Sequence, residues 1–238
     1  MAGTKAVRFA LPVRRSPASR GRAGAPVRRA VVQNAGVVAE TPGLRERKKA
    51  RLRQQIIDTS IRLFRKRGYE NTRVEDIVQI LEISQPTFFR YFPSKDAVLR
   101  EVGRRGFSCI KEHLQTELSS DASTEERLKH MYGAMAREVQ SDRPLWRAVV
   151  LSGAMDPVRS PEMRRPEEVT VSLLGEILAE GQRRREIAKR FPVTYLAEYM
   201  EGLYTTVVRR WAASFSAPHD LVERVRSAVE FFLAGARP

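Results

Sequence analysis

A chain of 238 residues, 42% hydrophobic and 30% charged, has the composition of a soluble globular protein with one large or two modest cores. Its single cysteine, Cys109, excludes an intramolecular disulfide and fits a reducing compartment, and no apolar run approaches the roughly 18 residues of a membrane span. The net charge of +15 is the unusual quantity: residues 1–40 carry +7, residues 41–102 carry +6 and residues 103–238 only +2. Positive charge gathered at one end is the electrostatic footprint of a nucleic-acid-binding segment.

Residues 1–40 are rich in Arg, Ala, Pro, Gly and Val and show neither a helical nor a strand period, so a disordered basic arm is predicted. Arg14, Arg15, Arg20, Arg22, Arg28 and Arg29 can add phosphate contacts or enter a minor groove; a solvated tail is the plain alternative. A first helix is predicted from about Leu44 to Arg67. Ile56, Ser60, Leu63 and Phe64 fall on one face of it, and Gly68 supplies its C-terminal cap. Its start, which includes Arg45 and Lys48, is strongly basic and suits phosphate contact.

From Thr72 to Lys95 the sequence reads as two short helices joined by a tight turn. Thr72 has Glu75 three residues on, the spacing of a capping box, and its helix N-terminus can present N–H groups to a phosphate alongside Arg73. Val74, Ile77, Val78 and Leu81 form one apolar face. Ser84 is placed to cap a second helix, with Pro86 in its first turn. Two helices at that spacing make a helix-turn-helix, whose second helix enters the major groove. Gln85, Thr87 and Arg90 are residue types that read base edges; Phe88 and Phe92, four apart, are predicted to face inward. Tyr91 and Lys95 are placed to touch phosphate.

Residues 87–99, Thr-Phe-Phe-Arg-Tyr-Phe-Pro-Ser-Lys-Asp-Ala-Val-Leu, resemble the signature of TetR-family transcriptional regulators. Ile56, Leu63, Phe64, Gly68, Tyr69, Thr72, Val74, Ile77 and Ser84 fall where that family has like residues, so the resemblance spans about residues 45–102. The chain departs from the family's usual pattern at Glu82 and Pro86, where glycine is usual, and at Phe89, where tyrosine is frequent. The resemblance implies an all-α fold of about nine helices. Residues 41–102 would form a helix-turn-helix DNA-binding domain, and residues 103–238 a helical ligand-binding and dimerisation domain. It places Arg45, Lys48, Thr72, Arg73, Ser84, Gln85, Pro86, Thr87, Phe89, Arg90, Tyr91 and Lys95 at the DNA.

Ser94 looks like a further cap, starting a helix that runs through Val98, Val102, Phe107, Ile110 and Leu114 towards Leu118. In the family this helix carries the ligand signal. After a polar break, Ser123 with Glu126 completes a capping box. Leu128, Met131, Tyr132, Met135 and Val139 give the next helix its apolar face, and Leu145, Trp146, Val149 and Val150 the one after. Asp156-Pro157 and Ser160-Pro161 mark turns. A long helical segment then holds Val169, Val171, Leu173, Leu174, Ile177 and Leu178, up to the break at Phe191-Pro192. No useful strand-like alternation occurs, so the predicted class is all-α.

Leu196, Tyr199, Met200, Leu203, Tyr204, Val207, Val208 and Trp211 repeat at three and four over four turns. After Ala217-Pro218, Leu221, Val222, Val225, Ala228, Val229, Phe232 and Leu233 do the same. Such stripes serve the chain's own core, a partner's surface, or both. The resemblance implies dimerisation through these last two helices, with Tyr199, Leu203, Val207, Trp211, Val225, Val229 and Phe232 at the interface. It also implies a ligand cavity lined by the middle helices. Met131, Met135, Trp146, Met155, Leu174, Ile177, Tyr195, Met200 and Tyr204 are candidates there, because methionine and aromatic side chains adapt to apolar guests; each also serves as plain core.

No catalytic constellation, phosphate-binding glycine loop or zinc spacing is present, so neither an enzyme nor a cofactor is expected. His113, His130 and His219 are dispersed. The expected function is a cytoplasmic, dimeric DNA-binding regulator. A repressor released from a palindromic operator by an apolar or amphipathic small molecule is the leading form, with activation left open. The alternative is constitutive, non-specific nucleic-acid coating driven by the basic arm.

Overall fold

The computed structural model describes residues 43–214 and 220–238. The basic arm of residues 1–40 and the Ala217-Pro218 break lie outside the described residues. Among those described there are nine α-helices, one short 3₁₀ turn and no strand, the all-α class expected. The helices are α1 (Leu44–Arg67), α2 (Val74–Leu81), α3 (Gln85–Tyr91), α4 (Lys95–Leu118), α5 (Thr124–Ser141), α6 (Arg143–Ser152), α7 (Arg164–Arg183), α8 (Val193–Ala213) and α9 (Leu221–Ala236). The chain divides at Arg51 into two units, the second running from Leu52 to Pro238.

Local chemistry sets most of the helix ends. Ser84, Ser94 and Ser123 each accept a hydrogen bond from the backbone N–H three residues on, at the starts of α3, α4 and α5. At α5 the Glu126 carboxylate returns the bond to the Ser123 N–H at 2.9 Å, completing the capping box. Gly68 takes φ +83° after α1, the left-handed conformation in which glycine carries no Cβ penalty. The cap of α2 differs from expectation. Arg73, not Thr72, holds the N-cap position, and Asp76, not Glu75, receives its N–H at 2.8 Å. Thr72 lies one residue earlier, its hydroxyl donating to the Gly68 carbonyl at 2.8 Å to close the α1–α2 loop.

From Leu52 onward the chain folds around two sets of apolar groups. Towards its start Ile56, Leu63 and Phe64 of α1, Ile77 of α2, Phe88 of α3, Phe92 just after α3, and Val98 and Leu99 of α4 are buried. Beyond them α4 packs on α7, α5 on α9, α7 on α8, and α8 on both α6 and α9. Leu128, Met131, Ile177, Leu178, Met200, Val225 and Val229 fill that second set.

The stripes of α8 and α9 divide differently from expectation. Trp211, Val225, Val229 and Phe232 are buried inside their own chain, Trp211 at 3% exposure. The Arg143 guanidinium lies 5.0 Å from the Trp211 ring centroid, which further ties that indole into its own fold. These four are corrected from interface to core. Leu203 and Val207 are half-buried. The large groups left in solvent are Tyr195, Tyr199 and, on α9, Phe231, at 52%, 59% and 75% exposure.

Candidate nucleic-acid interface

α2 and α3 carry the surface. The turn between them is closed by Glu82 in the left-handed region (φ 53°, ψ 42°), with the Ile83 N–H reaching the Val78 carbonyl at 3.1 Å. Ser84 then starts α3, its oxygen taking the Thr87 N–H. Within α3, Phe88 is fully buried and Phe92, just past its end, is 2% exposed, as their four-residue spacing requires. With those rings inside, Gln85, Pro86, Phe89 and Arg90 face solvent, and Thr87 and Tyr91 are half-buried. Gln85 Nε2 donates to Glu75 Oε1 at 2.9 Å and so bridges the two helices. The Arg90 guanidinium lies 5.7 Å from the Tyr91 ring centroid, with the side chain in solvent.

The remaining sites expected at DNA separate into three groups. Arg73 and Ser84 are exposed beside these helices. Arg45 and Lys48 are exposed on the first turns of α1, in the unit that ends at Arg51. Thr72 and Lys95 are internally engaged. Thr72 is fully buried, which withdraws its side chain from a surface role. Lys95 Nζ donates to the Tyr69 and Thr72 carbonyls at 2.8 and 2.9 Å and sits 4.1 Å from the Tyr69 ring centroid. Its charge therefore anchors the first turn of α4 to the α1–α2 loop. Burial and a hydrogen bond to Asp96 push the Tyr69 hydroxyl's pKa up, so it remains a donor.

A feature that spacing did not suggest connects α3 to the helices around it. Glu101 of α4 is 7% exposed and accepts from Arg53 of α1 at 3.0 Å, from Arg104 at 2.7 and 3.1 Å and from Arg105 at 3.2 Å. Burial alone would raise its pKa; the hydrogen bonds from Arg104 and Arg53 outweigh that and hold it down to about 2. The Arg53 guanidinium also lies 4.9 Å from the Phe92 ring centroid. One arginine thus touches the C-terminal end of α3 and the carboxylate of α4. The partners are 48 residues apart in sequence, so no local pattern marks them.

Most of the expected ligand-lining residues are buried. Met131, Met135, Trp146, Leu174, Ile177 and Met200 are buried. Trp146 and Met155 meet over α4, where a Cβ on Gly106 would stand 3.1 and 3.4 Å from them. Tyr204 is half-buried, its ring centroid 5.2 Å from that of buried Tyr132. Tyr195 is corrected: at 52% exposure it lies on the outer surface of α8. A cleft of about 870 Å³ opens elsewhere, between the α1–α2 loop with the first turns of α4 and the α6 region; none of the nine candidates lines it. No group of three His, Cys, Asp or Glu side chains suited to a metal occurs among the described residues, and no described helix is long and apolar enough to cross a membrane.

Comparison with known proteins agrees with this geometry. Residues 56–102 match the family model described as bacterial regulatory proteins, tetR family. The chain is 33% identical over 216 residues to the HTH-type transcriptional regulator TcmR of Streptomyces glaucescens, covering 83% of this chain and 88% of that protein. It is 24% identical to the HTH-type transcriptional repressor KstR of Mycobacterium tuberculosis, covering 85% and 89%. Among solved structures, Thermus thermophilus FadR, a TetR-family repressor in complex with lauroyl-CoA, superposes with a TM-score of 0.63 at 26% identity, covering 77% of this chain and 94% of FadR.

Proposed function

The chain belongs to the TetR family of bacterial regulatory proteins, and on that premise we propose that it is a dimeric repressor whose grip on a palindromic operator is released by an amphipathic small molecule. The observation that carries the proposal is α3: a short capped helix whose two phenylalanines are buried while Gln85, Pro86, Phe89 and Arg90 stand in solvent. A helix fixed from behind that presents Gln85 and Arg90, with the ring of Phe89 beside them, is what major-groove readout of base edges and thymine methyl groups needs. Residues 41–102 would serve DNA and residues 103–238 ligand and partner.

Dimerisation is supported by the exposed aromatic groups of α8 and α9. Tyr195, Tyr199 and Phe231 are larger and more apolar than a solvated face needs, and half-buried Leu203 and Val207 extend the α8 surface. A two-fold axis there would pair two α3 helices for two half-sites. The acyl-CoA of the FadR complex makes a fatty acyl thioester a reasonable first effector to try. Release then follows from differential affinity: an effector that prefers the DNA-incompetent arrangement lowers operator affinity by the same factor.

The test is fluorescence anisotropy with an operator duplex obtained by in vitro selection, titrated with lauroyl-CoA and with free coenzyme A. Loss of operator binding with lauroyl-CoA alone supports an acyl effector. No change with either excludes lauroyl-CoA as the effector. Failure to select any shared sequence would remove the operator itself and favour non-specific coating.

A further inference from the structure

We propose that the cleft of about 870 Å³ is a binding site for a small anionic amphiphile, distinct from the apolar interior of the helical domain. Its size lies within the range of small-molecule sites, about 300–1,000 Å³. Its lining is mixed. Pro144, Ala148, Leu151 and Ala154 supply an apolar wall, and Leu151 stands 41% exposed there. Lys95, Arg100, Arg147 and Arg159 bring four cations against the carboxylates of Glu70 and Asp96.

The cations differ in how firmly they are held. Lys95 is bound to two loop carbonyls, Arg147 donates to the Ala212 carbonyl, and Asp96 takes the Tyr69 hydroxyl. Arg100 pairs at 3.0 Å with Glu162, whose side chain is half in water. Arg159 has a loose ion pair with Asp156 at 3.9 Å, its side chain 67% exposed. Arg159 is nevertheless seated. It lies across Gly153, where a Cβ would stand 2.5 Å from its Cδ, and Gly153 itself has φ +72°. Any other residue at 153 would displace the arginine and strain the backbone. The arrangement therefore presents two guanidinium groups beside an apolar wall. A carboxylate or phosphate head would sit on Arg159 and Arg100, with its apolar body along Leu151 and Ala148. Such a ligand touches the first turns of α4 and α6 together, with the α1–α2 loop lining the same cleft. Its regulatory meaning rests on the DNA-binding reading; its binding does not.

The probe is 8-anilinonaphthalene-1-sulfonate, followed by its fluorescence on the full chain without DNA. Saturable binding of one equivalent is expected. The Arg100→Ser/Arg159→Ser double variant and the single surface change Leu151→Glu should each weaken it at least tenfold. Dodecanoate should displace the probe and dodecanol should not. Unchanged probe affinity in both variants would overturn the site. Equal displacement by dodecanol would overturn the anionic class. Because no DNA is present, neither result depends on whether an operator exists.

Discussion

Glu82 holds a backbone conformation that a β-carbon resists. Its φ of 53° belongs to the left-handed region, and it is exposed at the end of α2 with no compensating burial. Glu82→Gly should therefore raise stability by about 1 kcal/mol, read as a higher urea midpoint with an unchanged slope. Arg90 is the exposed cation on α3. Arg90→Ala should cost about 1–3 kcal/mol on the operator and much less on random DNA, checked by anisotropy on both duplexes. Lys95 differs because it donates to two loop carbonyls, those of Tyr69 and Thr72. Lys95→Met should lower the unfolding midpoint as well as DNA affinity, and equal unfolding midpoints would return it to a simple phosphate contact.

Glu101 links residue chemistry to pH. Its folded pKa lies near 2, below the ordinary value of 4.5, so its contribution to stability is present above about pH 4.5 and is lost as pH falls towards 2. Burial with three guanidinium partners makes that contribution on the order of a few kcal/mol. Glu101→Gln should destabilise the protein at pH 7 and flatten the acid limb of its stability profile between those two values. An unchanged acid limb, followed by chemical denaturation, would show that the Arg53–Glu101 contact contributes nothing in solution.

At the scale of the helix, two surfaces of the same elements must be told apart. Phe231→Asp on α9 and Tyr199→Asp on α8 change exposed positions, so each should shift dimer to monomer with little loss of fold, measured by sedimentation and circular dichroism. Trp211→Glu changes a buried one. It should cost at least about 3 kcal/mol and unfold the chain before it dissociates anything. The contrast explains what the sequence could convey. Residues recurring every three and four positions mark an apolar stripe, but periodicity is the same whether the stripe meets its own chain or a partner. Trp211, Val225, Val229 and Phe232 fall on such a stripe and are core, whereas Phe231, one residue out of phase with it, is the exposed aromatic on α9.

The helix starts were far more legible. Ser84, Ser94 and Ser123 cap through bonds three residues long, and short-range chemistry is written directly in spacing. α2 slipped by one residue because Thr72 and Arg73 both stand three before an acid, and the loop's need for the Thr72 hydroxyl at Gly68 decided between them. The Arg53–Glu101 pair and the cleft were not legible at all. Each joins segments tens of residues apart, and only the packed fold brings them within reach; Arg104 and Arg105 lie one turn from Glu101 on α4.

Across the whole molecule the charge of +15 raises affinity for any DNA, so salt separates the two readings of function. Non-specific coating gives an affinity that falls with log salt by about 0.9 per neutralised phosphate and no preference among sequences. A sequence-reading dimer keeps a preference after those contacts are weakened. The decisive measurement is recovery of genomic fragments by the purified protein at about 0.2 M salt, run beside Arg90→Ala. A shared inverted repeat recovered by the native chain and lost with the variant is the expected result. Fragments without any common motif, or the same recovery by both proteins, would contradict sequence-specific regulation through α3.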